Sequence, residues 1–236
     1  MVQPMQNQAI NRATEIAKRL NLPLVTHVDD SQHFVLEVSV EHLAIRDRRQ
    51  IRTLAVHVAC SNLRRPSHGR DLLARAIGRK NKTIIDATAG FGRDAFHLAS
   101  LNRQVTGIER SPVVAELLIA ALDQTVAEAL RKRMQFICAD SLVAIEQLPH
   151  PDVIYLDPMF PERNIKSTTA RKEATLLRGL VGDDSDADEL WRLACTYARQ
   201  RVVVKRSRNA PALGRVPDLA VSGRAVRYDI YLRDKT

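Results

Sequence analysis

Aromatic side chains are scarce, since Phe, Trp and Tyr together make up 4% of the 236 residues. So few rings give poor support to a stacking platform for single-stranded nucleic acid. Cysteine is also rare, because only Cys60, Cys138 and Cys195 occur and no two of them form a CxxC pair. The spacings typical of metal ligands or of a disulfide framework are therefore missing. We expect structural thiols and no bound metal.

Long apolar runs are missing as well. No run approaches the roughly 20 residues that span a bilayer, and residues 1–20 mix Gln, Asn, Arg and Glu with apolar side chains. A signal peptide would have a continuous apolar segment there. We therefore expect a cytoplasmic protein that does not contact a membrane.

Positive charge is in excess. Lys and Arg number 36 against 27 Asp and Glu, which gives a formal net charge of +9. A polyanion is a natural partner for such a chain, because each neutralised phosphate releases counterions. A solvated basic surface explains the same charge, so composition leaves both interpretations open.

The chain divides into two parts by pattern. Apolar residues recur at helical spacing from Gln8 to Leu20, and strand-like alternation follows between Leu24 and about Cys60. A basic segment, Asn62 to Arg70, then separates this region from a different pattern. We predict a small N-terminal α+β domain over residues 1–65 and a larger domain over residues 66–236.

The larger part alternates short apolar runs with helical segments, which predicts an α/β domain with a mostly parallel sheet covered on both faces. Two further runs, around Ser222-Gly223, predict a closing antiparallel hairpin, and together the runs give seven strands. The predicted strands are Ile84 to Ala87, Gln104 to Ile108, Met134 to Cys138, Val153 to Leu156, Val202 to Val204, Leu219 to Val221 and Ala225 to Leu232.

The first of these strands runs into a glycine-rich turn. Gly90 and Gly92 allow a tight turn and a close approach of the backbone to a ligand, and the helix that follows offers free N–H groups. The segment from Gly90 to Ala95 also fits the GxGxxA pattern of a dinucleotide site. Asp86 at the end of the strand would repel a pyrophosphate but favour the sulfonium and ammonium of S-adenosylmethionine. The sequence therefore favours S-adenosylmethionine as the cofactor.

Acidic residues also end the next two strands. Glu109 follows the second strand, where a carboxylate can accept both hydroxyls of a ribose in either kind of cofactor site. Asp140 and Ser141 follow the third strand. An acid there can accept a hydrogen bond from the adenine amino group, or it can simply cap the next helix. Because carboxyl ends of parallel strands share one edge of the sheet, we predict that these residues lie together.

The fourth strand ends in Asp157-Pro158-Met159-Phe160, which predicts the reaction centre. The lone pair of an amino group on a nucleic-acid base is delocalised into the ring, so the amine is a poor nucleophile. Hydrogen bonds from that amine to the Asp157 carboxylate and the Pro158 carbonyl would align the lone pair with a sulfonium methyl group. Phe160 could stack on a base turned out of its helix. A simple Asp-Pro turn is the structural alternative.

The chain resembles class I Rossmann-like methyltransferases. The segments DATAGFGRDAF, ERSPVVAELL, YLDPMFP, RVVVKR and RYDIY are specifically similar to the family of ribosomal RNA small subunit methyltransferase J. That resemblance implies methylation of the exocyclic N2 amine of a specific guanine in 16S ribosomal RNA, naked or in the small subunit, with S-adenosylmethionine as cofactor. It places cofactor contacts on Arg93, Asp94, Glu109, Arg110, Asp140, Ser141 and Asp157.

Basic residues cluster beside the predicted site. The clusters that border strand ends, together with the basic segment before the larger domain, are the candidates for contacts with RNA phosphates. The predicted RNA contacts are Arg64, Arg65, Arg70, Lys166, Arg171, Lys172, Lys205 and Arg206.

An acidic run, Gly182 to Glu189, precedes a helix, and we expect it to cap that helix.

Three other functions fit parts of the pattern. A nicotinamide-dependent oxidoreductase would explain the glycine turn and Glu109 but not Asp86 or the DPMF segment. A non-catalytic RNA-binding protein would not need Asp157, Pro158 or Phe160. A methyltransferase acting on the N6 amine of adenine, or on another amino group of a nucleic acid, would use the same amine chemistry.

Overall fold

The computed structural model describes most of the chain. The described residues are 1–29, 31–49, 55–58, 71–124, 128–159, 168–182 and 184–233, with the side chains of 168–173 excepted. Five predicted site residues, Arg64, Arg65, Arg70, Phe160 and Lys166, lie outside these ranges, and so does the basic segment from Asn62 to Arg70. Arg171 and Lys172 belong to the residues whose side chains are not described.

The described residues form eleven strands and eight α-helices. The strands are β1 (Val2–Pro4), β2 (Phe34–Val38), β3 (Leu43–Asp47), β4 (Ala55–His57), β5 (Thr83–Asp86), β6 (Gln104–Glu109), β7 (Met134–Cys138), β8 (Val153–Leu156), β9 (Arg201–Ser207), β10 (Leu219–Ser222) and β11 (Val226–Leu232). The helices are α1 (Ile10–Leu20), α2 (Leu72–Ile77), α3 (Arg93–Ser100), α4 (Pro112–Asp123), α5 (Glu128–Arg131), α6 (Ser141–Gln147), α7 (Thr168–Val181) and α8 (Ala187–Tyr197). A 3₁₀ turn, Asn7–Ala9, precedes α1.

Seven strands form one large sheet in the order β10-β11-β9-β8-β5-β6-β7. Strands β5 to β9 are parallel, whereas β11 runs antiparallel to both β9 and β10. Successive strands extend from β5 towards β7 on one side, and β8 and β9 lie on its other side. The predicted Rossmann-like, seven-stranded sheet with a C-terminal hairpin is confirmed.

Central strands are apolar throughout because both faces of the sheet are covered by helices. All four residues of β8 have 0% of their surface exposed. The edge strand β7 is less covered, with Met134 alone of its five residues buried and with Gln135 and Cys138 exposed. Sequence patterns predicted all seven strands of this sheet, with differences of at most three residues at their ends.

Three of the helices on this sheet, α2, α4 and α6, begin at side chains that accept a hydrogen bond from the first turn. The Asp71 carboxylate accepts from the Ala74 N–H at 2.9 Å, and the Ser111 hydroxyl accepts from the Val114 N–H at 3.4 Å. Pro112 follows Ser111 as the first residue of α4, where its missing N–H costs nothing. The Ser111 cap fixes the position at which the chain leaves the carboxyl end of β6.

The N-terminal region forms a second sheet with the order β1-β2-β3-β4. Strand β1 was not predicted, since it has only three residues, and it pairs in parallel with β2. Apolar residues of this sheet and of α1 belong to the same buried cluster as residues of β5 and α4. An ion pair between Arg19 of α1 and Glu116 of α4 adds two hydrogen bonds, of 3.0 and 2.6 Å, at the surface. The two regions therefore share one core across the predicted domain boundary.

The described residues include neither a membrane-spanning helix nor a candidate metal site. Within those ranges no helix combines the length and the apolar character that crossing a membrane requires. The same ranges contain no group of three or more His, Cys, Asp and Glu side chains arranged to hold a metal. Cys138 and Cys195 are free thiols, and Cys60 lies outside the described ranges.

Candidate active site

A cleft opens at the carboxyl ends of β5, β6, β7 and β8, where the order of the strands reverses. This is the position at which open α/β sheets bind ligands. Its empty volume, open solvent included, is about 590 Å³. Loops after all four strands line it, together with residues of α7 and the start of α8.

Acidic side chains dominate the charge of this cleft. Of the ionisable residues on its described wall, one is basic, Arg110, and five are acidic. The acids are Glu109, Asp140, Asp157, Asp184 and Asp186. Such a wall complements a cationic ligand and disfavours a diphosphate.

The glycine-rich turn after β5 adopts the backbone conformation that favours glycine. Gly90 has φ +52° and Gly92 has φ +73°, both in the left-handed region. A Cβ on Gly92 would also lie 2.5 Å from the Leu118 side chain, too close for any larger residue without a shift. Gly90 lines the cleft, whereas Gly92 sets the turn and starts α3 without reaching the cleft wall.

Glu109 joins two of the loops that line the cleft. Its carboxylate accepts a hydrogen bond from the Gly90 N–H at 2.9 Å and another from the Ser111 N–H at 2.8 Å. Burial raises the pKa of Glu109, and the two backbone N–H groups act in the opposite direction. A carboxylate has about four acceptor positions, so the two oxygens retain capacity for hydroxyl donors from a ligand.

Asp140 and Ser141 both lie on the cleft wall, as the sequence predicted. Asp140 is exposed and accepts a hydrogen bond from the Leu142 N–H at 2.9 Å, so it caps α6. The Ser141 hydroxyl donates to the Ala87 carbonyl at 2.6 Å. The capping alternative for Asp140 is therefore realised, and its position on the wall leaves room for a ligand contact as well.

Asp157 is held by Lys205. The Lys205 ammonium donates to Asp157 at 2.6 Å and to Asp94 at 2.8 Å. Tyr155, in β8, donates its hydroxyl to the same Asp94 oxygen at 2.6 Å. The Asp157 N–H donates to the Thr88 hydroxyl at 2.6 Å, which fixes the start of the DPMF segment against the glycine turn.

The charges of this network support one another. Burial would lower the pKa of Lys205, but the adjacent Asp157 and Asp94 carboxylates outweigh it and hold that pKa well above its usual range. Burial would likewise raise the pKa of Asp94, yet Lys205 and the Tyr155 hydroxyl bring it below its usual range. Lys205 therefore remains a cation and Asp94 a carboxylate at neutral pH.

Asp86 does not occupy the position that the sequence suggested. Its side chain is 1% exposed, it accepts from the Thr88 N–H at 3.2 Å, and it does not line the cleft. Burial raises the pKa of Asp86 well above its usual range, and the neighbouring charge of Asp94 adds to the shift. A buried acid that does not reach the cleft cannot contact a ligand there as expected of Asp86, whereas Asp157 and Glu109 line the cleft wall.

The acidic run before α8 has two uses. Asp188 and Glu189 lie in the first turn of α8, as expected for residues that favour a helix N-terminus. Asp184 and Asp186 instead form ion pairs with Arg110. Asp184 also accepts a hydrogen bond from the Met159 N–H at 2.6 Å. It thereby connects the loop after β6 to the loop after β8, a contact that the capping interpretation missed.

Two of the predicted RNA contacts do not fit the geometry. Lys205 lies inside the network with Asp94 and Asp157, as described above. Arg206 is 5% exposed and donates to the Pro211 carbonyl at 2.9 Å. Two carboxylates engage the Lys205 ammonium and Arg206 is buried, so neither side chain is presented to a phosphate. Of the other predicted contacts with a ligand, Arg93 is exposed at the start of α3 and outside the cleft wall.

Three residues of the site escaped sequence analysis: Thr88, Tyr155 and Asp184. Tyr155 left a detectable signal, since its hydroxyl interrupts the otherwise apolar run of β8 and a buried hydroxyl needs a partner. Thr88 lies within the glycine turn, where the glycines drew attention. Asp184 is far from the strands in sequence, and only the folded chain brings it to the Met159 N–H.

Helix α7 closes one side of the cleft. Leu177 and Val181 line the cavity. Near them in α7, Gly179 faces the N-terminal sheet, because a Cβ there would lie 2.8 Å from the Phe34 ring and 2.7 Å from the Arg49 guanidinium. The helix is thus packed between the cleft and the N-terminal sheet.

Known proteins match this chain over most of its length. A family described as "Putative SAM-dependent methyltransferase" matches residues 15–233. The ribosomal RNA small subunit methyltransferase J of Thioalkalivibrio sulfidiphilus is 46% identical over 68% of this chain and 67% of its own. That of Coxiella burnetii is 38% identical over 94% of this chain and 92% of its own. In structure, the chain is similar to the SAM-dependent methyltransferase NGO1261 from Neisseria gonorrhoeae, with a TM-score of 0.78 and 27% sequence identity. The match covers 100% of this chain and 97% of the other.

Proposed function

Because the chain belongs to this family of S-adenosylmethionine-dependent methyltransferases, we propose that it methylates small-subunit ribosomal RNA, at the exocyclic N2 amine of a guanine in 16S RNA. Relatives that cover most of the chain are named for methylation of that RNA. The observation that carries the proposal for the amine is the position of Asp157, an ionised acceptor held at the rim of the acidic cleft by Lys205.

The residues of the cleft fit the cofactor. S-adenosylmethionine supplies a methyl group from a cationic sulfonium and has no phosphates, and the acidic wall is the complement of such a ligand. Glu109 would accept the ribose hydroxyls with its remaining lone pairs, and Asp140 would accept from the adenine amino group. A nicotinamide dinucleotide would place its diphosphate beside these acids, which makes it the poorer fit.

Asp157 would orient the target amine. Its carboxylate is an acceptor for one amine N–H, and the adjacent Pro158 carbonyl is an acceptor for the other. Two such hydrogen bonds favour a pyramidal nitrogen, whose lone pair is then directed at the carbon to be transferred. Positioning of this kind lowers the barrier to direct displacement, because the attacking atom is held in line and little solvent must reorganise.

Lys205 would keep that acceptor ready. With Asp94 fixed by Tyr155, the ammonium lies between two carboxylates and holds the Asp157 oxygen in one orientation. The cation also favours the ionised form of its partner, so Asp157 acts as an acceptor and not as an acid. Lys205 touches Asp157 and is thus a positioning residue in this scheme.

The remaining predicted residues stay proposals for RNA contact. Phe160 would stack on the target base from the position after Met159. Arg64, Arg65, Arg70, Lys166, Arg171 and Lys172 would contact phosphates, in keeping with the net charge of +9. Their side chains lie outside the described part of the structure, so the proposal for them rests on the sequence.

Mapping the modified nucleotide tests this function. Ribosomal RNA from cells that lack the protein should contain one unmodified guanine in 16S RNA that carries N2-methylguanine in the parent. The parent gene should restore the mark, and the gene with Asp157→Ala should not. Unchanged modification of 16S RNA would refute the proposal, and loss of an N6-methyladenine instead would assign the enzyme to the adenine alternative.

A further inference from the structure

Two exposed arginines meet at the carboxyl edge of the large sheet. Arg208 directly follows β9, and Arg224 lies in the turn between β10 and β11. The Arg208 N–H donates to the carbonyl of Ala225, the neighbour of Arg224, at 3.0 Å. Both side chains are exposed. The fold therefore brings the backbones of two exposed arginines that are sixteen positions apart in sequence to neighbouring places on the surface.

The platform that carries these arginines is firmly built. Arg227 donates to both oxygens of the fully buried Asp229, at 2.6 and 2.8 Å. Its remaining N–H groups donate to the Arg208 carbonyl at 2.8 Å and to the Ala210 carbonyl at 2.9 Å. On the other side, a Cβ on Gly223 would lie 2.4 Å from the Leu72 side chain, which shows how closely the hairpin turn packs on α2.

The same edge holds the reaction centre. Strand β9 pairs with β8, which ends one residue before Asp157, and Ser207 at the end of β9 pairs with Val226 at the start of β11. Neighbouring strands lie about 4.8 Å apart. The two arginines are thus on the rim beside the DPMF segment, at a distance that a few nucleotides of RNA can bridge.

Acidic residues do not neutralise this pair. Neither guanidinium forms an ion pair with any residue in the described ranges. Asp229 is engaged by Arg227. Asp71, which caps α2, is also engaged, because its oxygens accept from the Ala74 N–H and contact the His97 ring nitrogen at 2.6 Å. Two unneutralised cations on a fixed platform are complementary to a chain of phosphates.

We propose that Arg208 and Arg224 form a binding site for backbone phosphates of the substrate RNA, next to the base that is methylated. The proposal rests on the proposed function. The sequence placed phosphate contacts on Lys205 and Arg206, but Lys205 is engaged by two carboxylates and Arg206 is buried. The proposal assigns those contacts to the two nearby arginines that are exposed. Contacts of this kind hold the RNA in register, and they carry no base specificity.

The double substitution Arg208→Gln with Arg224→Gln tests this site. Its binding to 16S ribosomal RNA from cells lacking the protein is measured between low and moderate salt. Each lost contact with a single-stranded phosphate should reduce the slope of log K against log salt by about 0.7, so the pair should reduce it by about 1.4. At 0.1 M salt the affinity should fall roughly 25-fold, and each single variant should show about half the change in slope.

A matched control removes two arginines from the opposite edge of the same sheet. Arg79 and Arg199 are exposed and lie shortly before β5 and β9. The variant with Arg79→Gln and Arg199→Gln loses the same charge but should retain the parent's slope. Both double variants should bind S-adenosylmethionine like the parent and unfold at a similar temperature, which excludes a folding defect.

Three outcomes separate the proposals. A slope equal to the parent's in the Arg208 and Arg224 variant overturns the phosphate site, and so does an equal loss in the control variant. Normal RNA binding with defective methylation of small subunits would point to a contact with a ribosomal protein and would also overturn it. If the parent itself does not methylate 16S RNA, the proposed function fails, whatever the arginines do.

Discussion

The amino and carboxyl ends of the strands in the seven-stranded sheet, called its amino and carboxyl edges, use charged residues in opposite ways. At the amino edge, Asp152 accepts hydrogen bonds from the Lys82 and Thr83 N–H groups, at 2.7 and 3.0 Å. Arg103 donates to the Arg79 and Gly78 carbonyls, and Arg201 donates to the Ala76 carbonyl. At the carboxyl edge, carboxylates gather around a cleft, and a lysine holds two of them.

This difference separates stability from function within one sheet. Charges at the amino edge complete the hydrogen bonding of the backbone, so their loss should affect folding. Charges at the carboxyl edge are brought together at a cost in desolvation and repulsion, which the fold tolerates for the sake of a ligand. Substitutions at the two edges should therefore affect different measurements, and four of them can break or sharpen the comparison.

The largest effect is expected from Asp157→Ala. Transfer of the methyl group should slow by about a hundredfold or more, as for the loss of a single preorganised hydrogen-bonding group that stabilises a transition state. Single-turnover transfer to RNA at saturating S-adenosylmethionine measures it. Asp188→Ala, in the exposed first turn of α8, is the control and should leave the rate unchanged. A rate within about threefold of the parent would exclude Asp157 as the orienting group.

Lys205→Met should come next, with transfer slowed roughly tenfold to a hundredfold, since small displacements of a positioned group are costly. Lys205→Arg should restore part of the rate. The pKa values of the Asp94 and Asp157 carboxyl groups should rise without the cation, so the rate should fall at a higher pH than in the parent as the solution is acidified. An unchanged acid limb of the pH profile would mean that Lys205 serves the fold alone.

Glu109→Ala should weaken binding of the cofactor by ~1–3 kcal/mol, the range for hydrogen bonds to a charged group. Calorimetry with S-adenosylmethionine and with its demethylated product measures it. Glu109→Gln should be intermediate, because one of its two oxygens is replaced by an amide nitrogen that cannot accept from a backbone N–H. Equal affinities of the parent and the Ala variant for the cofactor would mean that Glu109 does not bind the ribose.

The smallest effect on function is expected from Asp152→Ala at the amino edge. Loss of two hydrogen bonds to backbone N–H groups should lower the free energy of unfolding by about 1 kcal/mol, and cofactor affinity and transfer rate should stay at the parent's values. Burial would raise the pKa of Asp152, but those N–H groups lower it overall. Its contribution to stability is therefore present above the usual carboxyl range and fades as pH falls through the lowered pKa.

Denaturant unfolding at neutral and acidic pH follows this contribution. The parent and the Asp152→Ala variant should differ at neutral pH and converge in acid. A loss of cofactor affinity in this variant would contradict the separation of the two edges.

Periodicity in the sequence was sufficient for most of the fold. Runs such as Val153–Leu156 are apolar except for the Tyr155 hydroxyl, and they are buried because helices cover both faces. Strand β1 was missed because three residues including Pro4 carry no periodic signal, and its pairing with β2 depends on tertiary contact. Positions of the acids at strand ends were predictable too, since parallel strands place their carboxyl ends on one edge.

Electrostatic roles were harder to predict than positions. A strand-end acid can be exposed like Asp140 or buried like Asp86, and the sequence does not distinguish them. Lys205 and Arg206 look like surface cations in a basic segment, yet one forms ion pairs inside the site and the other is buried. Such assignments need the distance between side chains, which depends on the whole topology.

Helix α7 gives the N-terminal sheet a share in events at the cleft. One set of its side chains forms a wall of the cavity and Gly179 contacts Phe34 and Arg49 of the N-terminal sheet, so the helix cannot shift on one side without disturbing the other. A ligand that favours one position of α7 therefore also favours one position of the N-terminal sheet. By the same linkage, the position of that sheet affects the affinity of the ligand. The small N-terminal region is in this sense mechanically coupled to the cleft.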